Sequence, residues 1–240
     1  MKSTFLSAEW NNLIMANYII DPAILAPYVP AGTVLDFYKG NVYVSLIGFM
    51  FENTRILGYK VPFHVNFEEV NLRFYVKCFE DGIWKRGAVF IKEIVPKPAI
   101  SIVANALYNE KYSTMKMKHF FEKKDKEIHL GYSWKSKGKW NRLEATTDIA
   151  SFPMQQGSKE EFIAEHYFGY AVYNQKTTFE YTVQHPSWKI HPIKSYLIDC
   201  DFNGLYGRRF ALLADEKPAS VFMADGSSIN ILGKRNLQIQ

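Results

Sequence analysis

The chain has 240 residues, of which 48% are hydrophobic and 22% are charged, and its net charge at pH 7 is +5. This composition is typical of a globular domain with a sizeable core. No run of 18 apolar residues, no apolar signal-peptide segment near the N-terminus and no uninterrupted basic stripe is present. These features argue against a membrane span, secretion and nucleic-acid binding. We therefore expect one cytoplasmic domain over residues 1–240.

The first hundred residues predict a short helix followed by strands. Asp21 suits a helix N-cap and Pro22 suits the first helical position, so residues 23–28 are expected to form a short helix. Residues 41–51 are almost uniformly apolar, as in a strand buried on both faces. Residues 87–95 and 100–107 have the same character, with a Pro-Lys-Pro breaker between them, and predict two more buried strands.

Residues 68–76, EEVNLRFYV, alternate strictly between polar and apolar side chains. Successive side chains of a strand point to opposite faces of the sheet. One face would therefore be apolar, and the other would carry an acid, an amide, a guanidinium and a phenol. These four side chains are Glu69, Asn71, Arg73 and Tyr75.

The second half of the chain predicts further strands and one capped helix. Residues 115–119 and 127–134 alternate in the manner of antiparallel strands with one solvated face. Ser158 and Glu161 match a capping box, which predicts a helix of two or three turns. Strands are expected at 176–184 and 196–202, and a hairpin is expected at Asp225-Gly226. We find no internal repeat, so the pattern favours one mainly β domain with a few short helices.

Several motifs occur in an order and spacing that resemble a known family. They are NYIIDPAILAPYVPAGTVLDFYKGNVYVSLIGF, EVNLRFYV, GIWKRGAVF, LYNEKYSTM, EFIAEHYFGY and HPSWKI. Together they resemble the YqjF-like family of uncharacterised bacterial proteins, which is placed in the acetoacetate decarboxylase-like superfamily. The resemblance implies an antiparallel β barrel or cone with an internal cavity. The polar face of residues 69–75 would then line that cavity, because one face of each strand in a barrel points inward.

Acetoacetate decarboxylases use a lysine that forms a Schiff base with a ketone, and a neighbouring lysine lowers its pKa. The corresponding turn of this chain is LYNEKYS at residues 107–113. Tyr112 falls where the Schiff-base lysine is expected, and Lys111 lies one position before it. Glu110 would raise the pKa of Lys111, which is the wrong direction for a nucleophilic amine. Glu69 lies near the position of an active-site glutamate in the superfamily.

The remaining candidates are His185, Trp188 and the other histidines. His185 is a candidate acid, base or ligand contact, and Trp188 can stack beside it. No compact ligand spacing predicts a metal, and nucleophile-elbow, P-loop and dinucleotide signatures are missing, so no cofactor is expected. Cys78 and Cys200 are far apart without C-x-x-C spacing, and we expect two buried free thiols.

Three function classes follow from these residues. In the first, the cavity binds a small organic acid or ketone: Arg73 holds a carboxylate, Glu69 and Asn71 supply polar contacts, and Tyr75, Tyr112 and Trp188 form aromatic walls. The second is a decarboxylase, lyase or hydrolase-like enzyme with Glu69 as acid/base and Lys111 as amine. The third is a structural or interaction module without a ligand. The expected partner is a small molecule, neither nucleic acid nor membrane, and association into a homo-oligomer is left open.

Overall fold

The computed structural model describes residues 3–238, and its largest element is a strongly curled β-sheet. The long strands of this sheet are β1 (Thr4–Ile20), β3 (Val42–Ile56), β4 (Phe67–Glu80), β5 (Ile83–Val95), β11 (Phe168–Asn174), β12 (Thr177–Gln184) and β15 (Ser220–Leu232). Its short strands are β2 (Val34–Leu35), β6 (Tyr112–Thr114), β10 (Phe152–Pro153), β13 (Lys189–His191) and β16 (Arg235–Gln238).

The curled sheet closes on itself. Its path runs from β15 through β1, β3, β4, β5 and β11 to β12. β12 then pairs with β15, where Val183 lies opposite Ile231 and Gln184 lies opposite Asn230. The pairing of β5 with β11 is parallel, whereas the other contacts along this path are antiparallel. The closure encloses an interior space, and β4 presents one face to it.

A second sheet lies beside the first. Its order is β14–β9–β8–β7, and its strands are β7 (Lys116–Lys124), β8 (Glu127–Ser136), β9 (Lys139–Asp148) and β14 (Ile193–Asp199). Leu72 and Phe74 of β4 belong to the same buried apolar core as Leu130 and Trp134 of β8. The apolar face of β4 is therefore covered by protein, as the alternating sequence pattern predicts.

Short helices connect the strands. They are α1 (Pro22–Leu25), α2 (Pro98–Tyr108), α3 (Lys159–Ala164) and α4 (Phe202–Tyr206), with 3-10 turns at Ala26–Tyr28 and Arg208–Ala214. The predicted caps are confirmed: the Asp21 side chain accepts a hydrogen bond from the backbone N–H of Ala23, and that of Ser158 accepts one from Glu161. None of the helices within residues 3–238 is long and apolar enough to cross a membrane.

The predicted strand at residues 100–107 is wrong, because this segment is part of helix α2. The helix begins at Pro98, which occupies its first turn where no N–H partner is needed. It ends at Asn109, which caps it in the left-handed conformation with a φ of 54°. Ser101 and Tyr108, seven residues apart, are its buried residues, so the burial follows a helical period. The apolar character of residues 100–107 led to the wrong prediction, because a short apolar run is compatible with either a strand or a helix.

The predicted hairpin at Asp225-Gly226 is also wrong, because β15 runs straight through both residues. Gly226 has a φ of 87°, but it lies opposite Asn11 in the ladder with β1. A Cβ at this position would lie 1.8 Å from the carbonyl oxygen of Trp10. The glycine therefore permits a close approach of two strands, whereas the sequence pattern indicated a turn.

The prediction of a mainly β fold with a few short helices is confirmed. The antiparallel strands predicted around residues 115–119 and 127–134 are present as β7 and β8, and the strand predicted at 176–184 is β12. β14 covers only part of the strand expected at 196–202, since it ends at Asp199. Cys78 and Cys200 are both buried and free.

Candidate functional site

The inner face of β4 carries the four polar side chains of the alternating segment. Glu69, Asn71, Arg73 and Tyr75 are all buried, with 2% of Glu69 and 9% of Arg73 exposed. The ladder with β5 is irregular between Leu72 and Arg73, because Leu72 lies opposite Lys92 while Arg73 lies opposite Phe90. The extra residue of this bulge is Ile91 of β5, which lies opposite the step from Leu72 to Arg73.

A cavity of about 60 Å³ lies over this face of β4, and we call it the polar cavity. Glu69, Asn71 and Arg73 line it, whereas Tyr75 does not. Its other polar lining side chains come from several elements and are Glu93, Tyr112, His166, Tyr181 and His185. Four buried atoms of residues in its wall have no hydrogen-bond partner among the described residues: Trp10 Nε1, Asn71 Oδ1, Arg73 Nε and Glu93 Oε2.

Glu69 is held by two hydrogen bonds. Asn71 Nδ2 donates to Oε1 at 2.9 Å, and the hydroxyl of Tyr112 donates to Oε2 at 3.0 Å. Burial raises the pKa of Glu69 to about 7, although both hydrogen bonds and the nearby Arg73 favour its ionised form. A carboxyl group with this pKa changes its protonation state near neutral pH.

Two further carboxyl groups, those of Glu93 and Glu110, lie near Glu69, and neither is a site residue predicted from the sequence. Burial raises the pKa of Glu110 to about 8, although a 2.9 Å hydrogen bond from the Tyr181 hydroxyl favours its ionised form. Burial, reinforced by Glu110 and Glu69, raises the pKa of Glu93 well above its ordinary value. A single glutamate within the apolar run of residues 87–95 was a signal that could have identified Glu93.

Arg73 is the one arginine among the residues that line the polar cavity, and no lysine lines it. Within residues 3–238 its guanidinium forms no ion pair, and its Nε is buried without an acceptor. The guanidinium carbon lies 5.6 Å from the centroid of the Tyr75 ring. Because the neighbouring carboxyls have raised pKa values, they do not supply full negative charges to balance Arg73 at neutral pH.

One wall of the polar cavity is fixed by an ion-pair network around Asp36. Arg86 Nε donates to Asp36 Oδ2 at 2.6 Å, and His166 Nε2 lies 3.7 Å from the same oxygen. Burial opposes ionisation of Asp36, but the neighbouring His166 and the hydrogen bond from Arg86 lower its pKa to about 2. Burial lowers the pKa of His166 to about 4, so its ring is neutral at pH 7. That ring stacks on Tyr75 at 4.4 Å, and the Tyr75 hydroxyl donates to Ser45 Oγ at 2.8 Å.

His185 and Trp188 lie together at the polar cavity. Their rings stack with centroids 4.3 Å apart, and both side chains line it. Trp188 is buried and donates its indole N–H to Ser227 Oγ at 2.9 Å. Burial lowers the pKa of His185, which favours the neutral imidazole.

Lys111 lies outside both the polar cavity and the apolar cavity described below. Its side chain is accessible to solvent, and its amine lies 5.4 Å from the centroid of the Tyr28 ring. Surrounding protein atoms lower the pKa of this amine, while Glu110 and Glu93 act in the opposite direction. The net shift is opposite to the one expected from Glu110 alone. The structure thus brings Tyr112 to Glu69 but does not bring Lys111 there.

A larger, mainly apolar cavity of about 180 Å³ adjoins the polar one, and we call it the apolar cavity. Its wall includes Phe51, Phe67, Ile100, Val103 and Ala104. Five residues line both cavities, and these are Phe51, Glu93, Tyr112, Tyr181 and Ile231. The sequence does not predict the apolar cavity, because the apolar run of residues 100–107 favours a strand there.

No group of three or more His, Cys, Asp or Glu side chains within residues 3–238 has an arrangement that could hold a metal ion. Glu69 is instead paired with an amide and a phenol donor, and Glu110 with a phenol donor, whereas Glu93 Oε2 has no partner among the described residues. The site can therefore offer a cation, carboxyl groups that titrate near neutral pH and hydroxyl donors to a bound molecule.

Comparison with solved structures shows an acetoacetate decarboxylase-like fold. An acetoacetate decarboxylase-like enzyme from Sphingomonas wittichii RW1 aligns with a TM-score of 0.67 at 12% identity, covering 99% of this chain and 95% of that one. The enduracididine biosynthesis enzyme MppR complexed with pyruvate has a TM-score of 0.66 at 12% identity, with 98% and 91% covered. Acetoacetate decarboxylase from Legionella pneumophila has a TM-score of 0.64 at 12% identity, with 98% and 88% covered.

Sequence comparison confirms the resemblance to YqjF. The chain is 29% identical to the uncharacterized protein YqjF of Bacillus subtilis (strain 168) over 184 residues, which are 74% of this chain and 72% of that protein. Residues 7–228 match the model of the family DUF2071, described as an uncharacterized conserved protein. The chain therefore belongs to the DUF2071 family.

Proposed function

We propose that the protein binds a small organic acid in the polar cavity, with the carboxylate of the ligand at the Arg73 guanidinium. The observation that carries this proposal is a buried guanidinium without a carboxylate partner among the described residues. An isolated buried charge is costly to retain, so an anion from outside the chain is the natural partner. The planar fork of arginine suits a carboxylate, which accepts two parallel N–H bonds.

The surroundings of Arg73 support the same proposal. Glu69, Glu93 and Glu110 have raised pKa values, and protonated carboxyls do not repel an incoming anion. Glu69 and Tyr112 can exchange hydrogen bonds with a keto or hydroxyl oxygen next to the carboxylate of the ligand. Pyruvate is bound in the crystal structure of MppR, which has a similar fold, and it is a suitable first probe.

The test is a thermal-unfolding screen with pyruvate, acetoacetate and related acids. A ligand at one hundred times its Kd should raise the Tm of the wild-type protein by about 5–10 °C. Arg73→Met should show no shift, because the variant lacks the guanidinium. The ligand-free variant should be at least as stable as the wild type, since an unpaired buried charge has been removed.

Arg55→Met is the matched control, because Arg55 is exposed and its side chain donates to the carbonyl of Gly58. This variant should keep the full ligand-induced shift. Equal shifts in the Arg73→Met and wild-type proteins would contradict the proposal, as would the lack of any shift in the wild type across the panel.

A second candidate function is proton transfer on the bound acid, and the pKa of about 7 at Glu69 favours it. The Glu69 carboxylate would take a proton from the carbon next to a ketone, leave an enolate, and return the proton. In D₂O this reaction exchanges the methyl hydrogens of pyruvate, which NMR detects. Glu69→Gln should slow the exchange at least about 100-fold. If the wild-type protein exchanges the methyl hydrogens of pyruvate no faster than buffer does, this role is excluded.

A mechanism through the amine of Lys111 has a separate test, which is borohydride trapping of an adduct on that lysine.

A further inference from the structure

The two cavities differ in size and chemistry but share part of their walls. The polar cavity, at about 60 Å³, has room for a few water-sized groups, which is enough for a head group. The apolar cavity is about three times as large, at about 180 Å³. A molecule no larger than a head group would leave the larger cavity unused.

The shared wall includes the two tyrosines that bond to the carboxyl groups of Glu69 and Glu110. Tyr112 and Tyr181 line both cavities, and their hydroxyls donate to Glu69 and Glu110 respectively. Beyond this wall the apolar cavity is lined largely by aromatic and aliphatic side chains from β1, β3, β4 and α2, including Phe5, Phe51, Phe67, Ile100 and Val103. A polar end with one cation therefore adjoins an apolar end.

We propose that the natural ligand is a carboxylic acid with an apolar tail, whose carboxylate lies at Arg73 and whose tail extends past Tyr112 and Tyr181 into the apolar cavity. This inference rests on the proposed function, because it takes Arg73 as the anchor of the carboxylate. It adds the class of ligand: a medium-chain or aryl-substituted acid, as distinct from a two- or three-carbon acid.

The test is calorimetric titration of the full chain with straight-chain 2-oxo acids, from pyruvate to 2-oxooctanoate. Burying one methylene is worth about 0.8 kcal/mol, so the affinity should increase about three- to fourfold with each added carbon until the apolar cavity is full. Pyruvate should bind most weakly, because it reaches only the polar cavity.

A substitution in α2 separates the tail site from the head site. Ala104 lines the apolar cavity, whereas Ala106 of the same helix is exposed. Ala104→Met should fill the cavity and abolish the increase of affinity with chain length, while the affinity for pyruvate stays within about twofold of the wild type. Ala106→Met should behave as the wild type does, which controls for the effect of methionine on the helix.

The possible failures are distinguishable. If the wild type binds all acids of the series with equal affinity, the apolar-tail inference is overturned and the carboxylate proposal stays intact. The same holds if the affinity increases with chain length but Ala104→Met does not change that increase. No binding of any 2-oxo acid would overturn both. A third outcome concerns straight-chain alcohols, which lack the carboxylate. If they bind more tightly with increasing length, if Ala104→Met blocks this binding and if the acids do not bind at all, the anchor of the carboxylate at Arg73 is overturned.

Discussion

At the scale of single residues, the inner face of β4 carries one carboxyl group, that of Glu69, whose pKa is raised by burial to about 7. Glu69 could be found from the sequence, because the alternation of residues 68–76 places it with Asn71 and Arg73 on one face. Glu93 and Glu110 were missed, since each comes from a different segment and they meet only in the folded chain. The period of polar and apolar residues in a sequence predicts which side chains share one face of a strand. It does not predict which strand faces meet in the folded chain.

The raised pKa of Glu69 predicts a pH-dependent stability. The folded pKa is about 7, whereas the ordinary value is 4.5, so between these pH values the folded protein binds more protons than the unfolded chain. The free energy of unfolding should therefore decrease as the pH rises through this range. The part due to Glu69 is about 3 kcal/mol.

Glu69→Gln removes the titrating group and keeps a similar shape. The variant should have nearly the same stability as the wild type at pH 4 and should be more stable at pH 8, measured by urea unfolding without ligand. Glu216→Gln is the control, because Glu216 is exposed, and it should follow the wild type at both pH values. Parallel pH profiles for Glu69→Gln and wild type would contradict a raised pKa at Glu69.

At the scale of elements, the site depends on how β11 and β12 pair. Gly169 of β11 lies opposite Tyr181 of β12, and a Cβ on Gly169 would lie 2.0 Å from the Tyr181 ring. The ring occupies the space above the glycine, and its hydroxyl reaches Glu110 from there. The sequence could not reveal this contact, because it depends on the register between the two strands.

Gly169→Ala should displace the Tyr181 ring and remove the donor from Glu110. We expect a loss of about 1–3 kcal/mol in the free energy of unfolding, as for other overpacked sites. Gly233→Ala is the control, because the nearest heavy atom to its Cβ would be 3.9 Å away, and it should change stability by less than about 0.5 kcal/mol. A Gly169→Ala protein as stable as the Gly233→Ala protein would show that the Tyr181 ring does not occupy this space.

The two wrong element predictions have a common cause. The apolar run of residues 100–107 favoured a strand, and Asp225-Gly226 favoured a turn by composition. In each case contacts with distant residues decided the structure: Ser101 of α2 bonds to Thr114 across 13 positions, and Gly226 meets Trp10. Caps were predicted correctly, since the Asp21 and Ser158 side chains bond within three residues.

At the scale of the whole molecule, strand composition predicted the mainly β class but not the arrangement of the sheets. The parallel contact of β5 with β11 joins residues about eighty positions apart, and no local pattern reports it. The contact between β12 and β15 that closes the curled sheet is short, with two residue pairs. The shared interior follows from that closure, and it allows side chains from β4, β5, β6 and β12 to reach one cavity.

The pairing of β1 with β15 has a consequence for synthesis in the cell. Thr4 lies opposite Leu232, so one edge of β1 gains its neighbour only after residue 232 has left the ribosome. Contacts so distant in sequence make folding slow, and they leave a long strand edge open to other nascent chains in the meantime. The yield of this protein should therefore depend on translation speed and on chaperones that shield β1.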